Sequence, residues 1–144
     1  MTAEDLMAKA AQAHVSAMAL LELGDPNGAC NRAYYAMFDA ARAALLASGH
    51  EVGKTHRGVL AAFSEHLVKN GPLNKELGRA LKQAETHRYV ADYEGNQVAL
   101  SDAEAMVKHA DTFLKAIQIA FKVDHPGAIS TPPHQISFPD PGKP

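Results

Sequence analysis

The segment NKELGRALKQAETHRYVADY, residues 74–93, places five residues at spacings of four, three, four and three: Leu77, Leu81, Ala84, Arg88 and Ala91. Such spacings put all five side chains on one face of a helix. Four of them are apolar, and an arginine is rarely buried unless it is paired. The segment therefore predicts a helix whose inward face carries one cation, Arg88, as part of a structural ion pair or of a functional site.

The composition favours helices in the rest of the chain as well. Hydrophobic residues make up 47% of the 144 residues, tryptophan is absent, and alanine dominates the apolar residues. This composition is typical of closely packed helices rather than sheets. The chain is also long enough to form one domain with a core of its own. We therefore predict an all-α fold.

The charge and the cysteine content exclude several classes of protein. The formal net charge is −2 and the isoelectric point is about 6.4, so the overall charge does not attract nucleic acid or acidic lipid. The single cysteine, Cys30, excludes an internal disulfide. Since no apolar run has the length of a membrane span and no signal-peptide pattern is present, we expect a cytoplasmic protein without a membrane segment.

Start and stop residues predict an up-and-down bundle of about five helices. Each helix is predicted to begin at a residue whose side chain can accept a hydrogen bond from the first turn. The predicted helices run from about Thr2 to Leu23, from Asp25 to Ser48, from Thr55 to Asn70, from Asn74 to near Gly95, and from a capping box at Ser101–Glu104 to about Lys122. Residues 123–144 contain six prolines and are predicted to form an extended or disordered tail behind a bundle of residues 1–122.

Several predicted helices carry polar residues on their inward faces. Asn31 and Arg42 interrupt an apolar stripe of the second helix, and His56 lies at the start of the apolar stripe of the third. Asp92 follows Arg88 by four residues, a spacing that permits an ion pair. Two interpretations remain open: a buried network in which these groups satisfy one another, or a site. Arg88 favours a site, because one carboxylate satisfies only one side of a guanidinium with five donors.

Other aromatic and basic clusters have ordinary structural interpretations. The aromatic residues of the second helix are predicted to be core rather than a surface for stacking nucleobases: Tyr34, Tyr35 and Phe38. A basic stripe on the fourth helix points away from Arg88 and is formed by Lys75, Arg79 and Lys82. We predict that this stripe is a solvated face, with weak contact to an RNA backbone as the alternative.

The eight histidines do not form a metal-binding motif. No pair has the spacing of a helical zinc site, and one cysteine cannot provide a thiolate cluster. A phosphate-binding loop, a dinucleotide fingerprint and a nucleophile elbow are also absent from the sequence. We therefore expect neither a metal ion nor a cofactor.

Several segments resemble the HEPN domain, a helical domain named for nucleotide binding in higher eukaryotes and prokaryotes. Residues 31–38 (NRAYYAMF) and 40–46 (AARAALL) resemble its second helix, and residues 54–59 (KTHRGV) resemble the start of the next. Residues 88–93 (RYVADY) resemble the arginine-to-ADY segment of the small stand-alone prokaryotic branch, and residues 101–116 resemble its closing helix. The resemblance covers residues 1–122 in order.

The resemblance implies a two-fold homodimer with a cleft between the subunits. Many such proteins are encoded beside a minimal nucleotidyltransferase and act with it as a toxin–antitoxin pair. The catalytic members are metal-independent ribonucleases in which an arginine and a histidine four to six residues later act on the scissile phosphate. The 2′-hydroxyl of the RNA is the nucleophile in that reaction.

This chain departs from the catalytic pattern. Tyr93 stands where the histidine would be, and the next histidine after Arg88 is His109. A tyrosine is a poor general base at neutral pH, although it can donate a proton or bond a phosphate oxygen. His56 is the predicted substitute, because it lies on an inward face and its intrinsic pKa suits acid–base chemistry. The catalytic candidates are Arg88, Tyr93 and His56, and whether the chain is an enzyme stays open.

Three functional hypotheses follow. The leading one is a HEPN module that binds RNA or a nucleotide phosphate through Asn31, Arg88, Asp92 and Tyr93, and that pairs with a nucleotidyltransferase. Arg88 would bind the phosphate bidentately, Asp92 would orient Arg88, and Tyr93 would contact the ligand or be modified. The alternatives are an active ribonuclease toxin and a non-catalytic dimer whose inward polar residues only specify its assembly.

Overall fold

The computed structural model describes residues 1–51, 53–93 and 97–123. This part of the chain contains five α-helices and no strand. The helices are α1 (Ala3–Glu22), α2 (Pro26–Ala47), α3 (His56–Ala62), α4 (Lys75–Tyr93) and α5 (Leu100–Phe121), and a π-helical segment (Phe63–Lys69) continues α3. The predicted all-α bundle is confirmed. The predicted end of the fourth helix at Gly95 lies outside the described residues.

The first helices begin and end where the capping residues predict. Thr2 and Asp5 form a reciprocal capping box at the start of α1, and the Asp25 side chain accepts a hydrogen bond from the Gly28 N–H at the start of α2. Gly24 and Gly49 follow these helices with φ of +79° and +85°. Such left-handed backbone angles are favourable for glycine and end a helix.

The third predicted helix begins as expected but is not one α-helix. The Thr55 side chain accepts a hydrogen bond from the Gly58 N–H, and the α-helix then widens into the π-helical segment at Phe63. Phe63 and Leu67 of this segment are both buried, and the ring of Phe63 contacts that of Phe113 in α5. The wider turn was not predicted, because a capping and periodicity argument does not distinguish α- from π-helical hydrogen bonding.

The predicted capping box of the last helix is wrong. α5 begins at Leu100 behind Ala99, and no side chain caps it, so Ser101 lies inside the first turn. The start is set by a tertiary contact: the N–H of the buried Val98 donates to Oδ1 of Asn27 in α2 at 2.8 Å. This long-range hydrogen bond fixes where the chain enters α5, and it overrides the local signal at Ser101.

α2 is the central helix and packs against every other helix. Its contact face is rich in alanines that are fully buried: Ala29, Ala33, Ala36, Ala40, Ala41, Ala43 and Ala44. Small side chains let neighbouring helices approach closely. Residues on α2 are thereby brought near both α3 and α4, and these contacts position the site. Val123, expected as the first residue of the tail, is buried, and residues 124–144 lie outside the described residues.

Candidate functional site

Arg88 lies on the inward side of α4, and its ion pair is incomplete. The residue is 9% exposed, and its Nη1 donates to Oδ2 of Asp92 at 3.4 Å. Within the described part of the chain, its buried Nε has no hydrogen-bond partner. The guanidinium carbon lies 5.1 Å from the centroid of the Tyr34 ring and 5.8 Å from that of Tyr93. The predicted pair with Asp92 is confirmed, and the guanidinium retains donors that Asp92 does not use.

Asp92 is shared between Arg88 and α2. Asn31 Nδ2 donates to Oδ2 of Asp92 at 3.1 Å and lies 3.4 Å from Oδ1. An amide from α2 therefore fixes the carboxylate that meets the guanidinium from α4. This contact joins Asn31, Arg88 and Asp92, which the sequence assigned to one ligand-binding site.

His56 lies beside this group at the first position of α3. Its Nδ1 is 2.6 Å from the hydroxyl of Tyr34 and its Nε2 is 3.5 Å from the hydroxyl of Tyr35. The imidazole stacks on the ring of Phe38 at a centroid distance of 4.7 Å. The ring of Tyr34 thus touches both halves of the site, with His56 at its hydroxyl and Arg88 over its face.

The electrostatics place the charged guanidinium of Arg88 beside a histidine whose neutral form is favoured. Burial and the charge of Arg88 lower the pKa of His56 below its usual value of 6.5. Burial opposes the charge on Arg88, but the tyrosine hydroxyls and Asp92 outweigh it and raise the pKa of Arg88. Burial and the charge of Glu85 raise the pKa of Tyr34. At neutral pH the site therefore holds a charged guanidinium beside a neutral imidazole and a neutral phenol.

The lowered pKa of His56 predicts a pH-dependent stability. At pH values below about 6.5, the unfolded chain takes up a proton at this residue that the folded chain resists. The folded state therefore loses stability as the pH falls through this range. We expect the free energy of unfolding, measured by urea titration from about pH 7.5 to 5.5, to fall more steeply in the wild type than in His56→Gln.

The chain has eight histidines, so the informative quantity is the difference in pH dependence between the wild type and His56→Gln. His109→Gln, which replaces an exposed histidine of α5, controls for the loss of one imidazole. Equal slopes for the wild type and His56→Gln would show that folding does not disfavour protonation of His56.

The structure brings most of the predicted site residues together, and it separates others. Arg42 pairs with Asp39 of its own helix, with Nη1 and Oδ1 3.6 Å apart, and its buried Nε also has no partner among the described residues. Unlike Arg88, it does not line the open hollow on α4, and we interpret its pair as structural. Tyr93 is 66% exposed and lies at the edge of the site. His87, the residue that precedes Arg88, lies outside this group and lines a separate small cavity of about 80 Å³ between α4 and α5.

The tyrosines of α2 contribute more to the site than the sequence indicated. Tyr34 and Phe38 are buried, which confirms them as core. However, the hydroxyls of Tyr34 and Tyr35 both point to His56, and this function of the hydroxyls was missed. The available signal was the use of tyrosine at two adjacent positions where phenylalanine would pack equally well.

The described residues hold no group of three or more side chains arranged to bind a metal ion. In the same part of the chain, no helix combines the length and the apolar character that crossing a membrane requires.

The fold and the site define a class of protein: an all-α bundle in which three helices bring an arginine–carboxylate pair, an amide, a histidine and tyrosines to one place. Residues 3–120 match the family model of the HEPN domain. The chain therefore belongs to the HEPN domain family, as the resemblance indicated.

Relatives and a solved structure agree with this assignment. A UPF0332 protein of Thermotoga maritima is 42% identical over 94 residues, which are 64% of this chain and 70% of the relative. A protein of Methanocaldococcus jannaschii with the name "Putative toxin MJ0605" is 33% identical over 91 residues, 63% of this chain and 67% of that protein. The crystal structure of TT1696 from Thermus thermophilus has a TM-score of 0.69 at 22% identity, over 81% of this chain and 96% of that one, and shares the fold.

Proposed function

We propose that this HEPN domain binds a phosphate-bearing ligand, an RNA or a nucleotide, through the guanidinium of Arg88. The observation that carries this proposal is the incomplete pairing of a nearly buried arginine, which meets one carboxylate at 3.4 Å and leaves its Nε without a partner in the described chain. Arg88 is 9% exposed and borders an open hollow on α4, which Glu85 and Tyr89 also line; a phosphate would enter there. A guanidinium with free donors matches two oxygens of a phosphate.

The neighbouring residues have distinct functions in this proposal. Asp92 orients the guanidinium, and Asn31 holds Asp92 from α2. Tyr93 is exposed and its ring lies 5.8 Å from the guanidinium carbon, so it lies within reach of a ligand on Arg88 and is the proposed acceptor of a transferred nucleotide.

Membership of the HEPN family supports two proposed partners. One is a second copy of the chain, in a two-fold homodimer with the site facing a cleft between subunits. The other is a minimal nucleotidyltransferase, with which the protein forms a toxin–antitoxin pair. Relatives with toxin names support the second proposal.

A titration with a short ligand tests the site. The probe is the 5′-phosphorylated dinucleotide pUpU with 2′-O-methyl sugars, which cannot be cleaved through the 2′-oxygen. We expect Arg88→Gln to weaken its binding about tenfold or more, because charge-assisted hydrogen bonds to the phosphate are lost. Isothermal titration calorimetry measures the affinity, and circular dichroism checks that the variant is folded.

Arg79→Gln is the matched control, since Arg79 is an exposed arginine of the same helix with only a 3.9 Å contact to Glu76. It should leave the binding of the dinucleotide unchanged. If a folded Arg88→Gln variant binds as tightly as the wild type, the phosphate-binding proposal is wrong.

The position of His56 favours a second candidate function, a ribonuclease. A neutral imidazole between two tyrosine hydroxyls can take the proton of an RNA 2′-hydroxyl. The 2′-oxygen then attacks the adjacent phosphorus, the bond to the 5′-oxygen breaks, and that oxygen takes a proton from Tyr93. The products are a 2′,3′-cyclic phosphate and a 5′-hydroxyl, and Arg88 neutralises the charge on the phosphate oxygens.

Unmodified single-stranded RNA distinguishes the two functions. A ribonuclease forms the cyclic phosphate, and His56→Gln slows its formation by about 10² to 10⁴. Intact RNA together with binding that depends on Arg88 indicates a module that binds without cleaving.

A further inference from the structure

One face of α4 is uncovered along its whole length. Its residues follow one another at spacings of four, three, four, three and four, and every one is exposed: Lys75, Arg79, Lys82, Thr86, Tyr89 and Tyr93. These spacings place them in one line on the helix surface. We call this line the α4 stripe. From Lys75 to Tyr93 it is about 27 Å long at the helical rise per residue.

The two halves of the α4 stripe differ in chemistry. The amino-terminal half presents three cations, of which Arg79 makes only an exposed contact with Glu76, and such pairs contribute little. The carboxy-terminal half presents Tyr89 and Tyr93, which are 52% and 66% exposed and have ring centroids 5.0 Å apart. Exposed aromatic rings in line with a row of cations suit a single strand of nucleic acid, whose phosphates meet the cations and whose bases stack on the rings.

The basic half of the α4 stripe points away from Arg88, as the sequence predicts, and only its aromatic end meets the site. Tyr89 and Arg88 line the same open hollow, and the ring of Tyr93 lies 5.8 Å from the guanidinium carbon. A strand whose bases stack on these rings would therefore bring a phosphate to Arg88.

We propose that the α4 stripe binds single-stranded RNA and leads it to Arg88. This inference rests on the proposed function, and it specifies the ligand as a strand of several nucleotides rather than a mononucleotide. Charge supports this occupant, because the stripe itself holds three cations and no carboxylate. Two acidic residues lie beside it, Glu76 in contact with Arg79 and Glu85 in the hollow next to Arg88, and the whole chain carries a net charge of −2.

The test compares two ligands, the 2′-O-methyl octanucleotide of uridine and the dinucleotide pUpU with the same sugars. Fluorescence anisotropy at several salt concentrations measures their affinities. We expect the wild type to bind the octamer more tightly than the dinucleotide. In Lys75→Gln/Lys82→Gln, the dependence of log K on log salt for the octamer should be less steep by about 1.4, from two lost phosphate contacts on a single strand. Binding of the dinucleotide should not change.

A matched control is present on α5. Lys108 and Lys115 are exposed and seven residues apart, as are Lys75 and Lys82. Lys108→Gln/Lys115→Gln removes the same charge and should keep the wild-type salt dependence. If both double variants reduce the salt dependence of octamer binding equally, only the net charge matters and the α4 stripe is not the binding surface.

Stacking is tested at Tyr89. Tyr89→Ala should weaken binding of the octamer about tenfold, while Tyr89→Phe keeps the ring and should bind as the wild type does. An abasic octamer should be bound equally by Tyr89→Ala and the wild type. The proposal is overturned if Tyr89→Ala keeps full affinity for the octamer, or if it converts a dimer to a monomer in size-exclusion chromatography, which would place a second copy on this face.

The two proposals fail differently. If binding of the dinucleotide does not depend on Arg88, the proposed function is wrong, whether or not the octamer binds. If binding of the dinucleotide depends on Arg88 but the octamer binds no more tightly, the proposed site at Arg88 is supported and the proposal for the α4 stripe is wrong.

Discussion

Tyr34→Ala should destabilise the folded chain by about 3–5 kcal/mol, the range for removing a buried aromatic ring. Tyr34 is fully buried in α2, and its ring contacts Tyr35, Phe38, His56 and the guanidinium of Arg88. Its removal leaves a cavity where α2, α3 and α4 meet. Urea unfolding monitored by circular dichroism measures the loss.

Tyr34→Phe is the matched variant for this prediction. It keeps the ring and removes only the hydroxyl, which lies 2.6 Å from Nδ1 of His56. The expected loss is about 0.5–1.5 kcal/mol, the net value of one hydrogen bond. If Tyr34→Ala lost no more than Tyr34→Phe, the ring would not be part of the packed core between these helices.

Asp92→Ala should destabilise the chain by about 1–3 kcal/mol, because it leaves the guanidinium of Arg88 and the amide of Asn31 without their shared acceptor. The Arg88 side chain is only 11% exposed, so water replaces the lost carboxylate poorly; the 28% exposure of Asp92 keeps the value below that of a fully buried pair. Thermal and urea unfolding of the variant give the change.

Asp111→Ala provides the control, because Asp111 and Lys115 form an ion pair with the same four-residue spacing on α5. That pair is shorter, at 2.9 Å, but its side chains are 44% and 56% exposed. Its loss should cost no more than about 0.5 kcal/mol. A larger loss in Asp111→Ala than in Asp92→Ala would contradict the argument that burial rather than distance decides the strength of these pairs.

The local features of the chain followed from its sequence. The starts of the first four helices were predicted, including that of α4 behind Asn74, because a capping side chain and the N–H that it binds are three residues apart. The inward position of Arg88 and its pair with Asp92 were predicted for the same reason, since helical periodicity relates residues three and four apart.

The contacts between helices could not be predicted in this way. Asn31 and Asp92 are 61 residues apart in sequence, and His56 is 22 residues from Tyr34. Asn31, Asp92 and His56 were recognised as polar residues on inward faces, but spacing within one helix does not show which helices pack together. The buried alanines of α2 bring α3 and α4 to it, and they thereby turn separate polar residues into one site.

Hydrogen bonding and side-chain spacing over one or two turns were enough to establish an all-α chain, the starts of its first four helices and a cation turned inward at Arg88. The start of α5 at Leu100, the π-helical turn after Ala62 and the meeting of Arg88, Asp92, Asn31, Tyr34 and His56 depended on the packed bundle. The physical reason is that these features arise from contacts between residues distant in sequence, whose free energy outweighs the weaker local preferences.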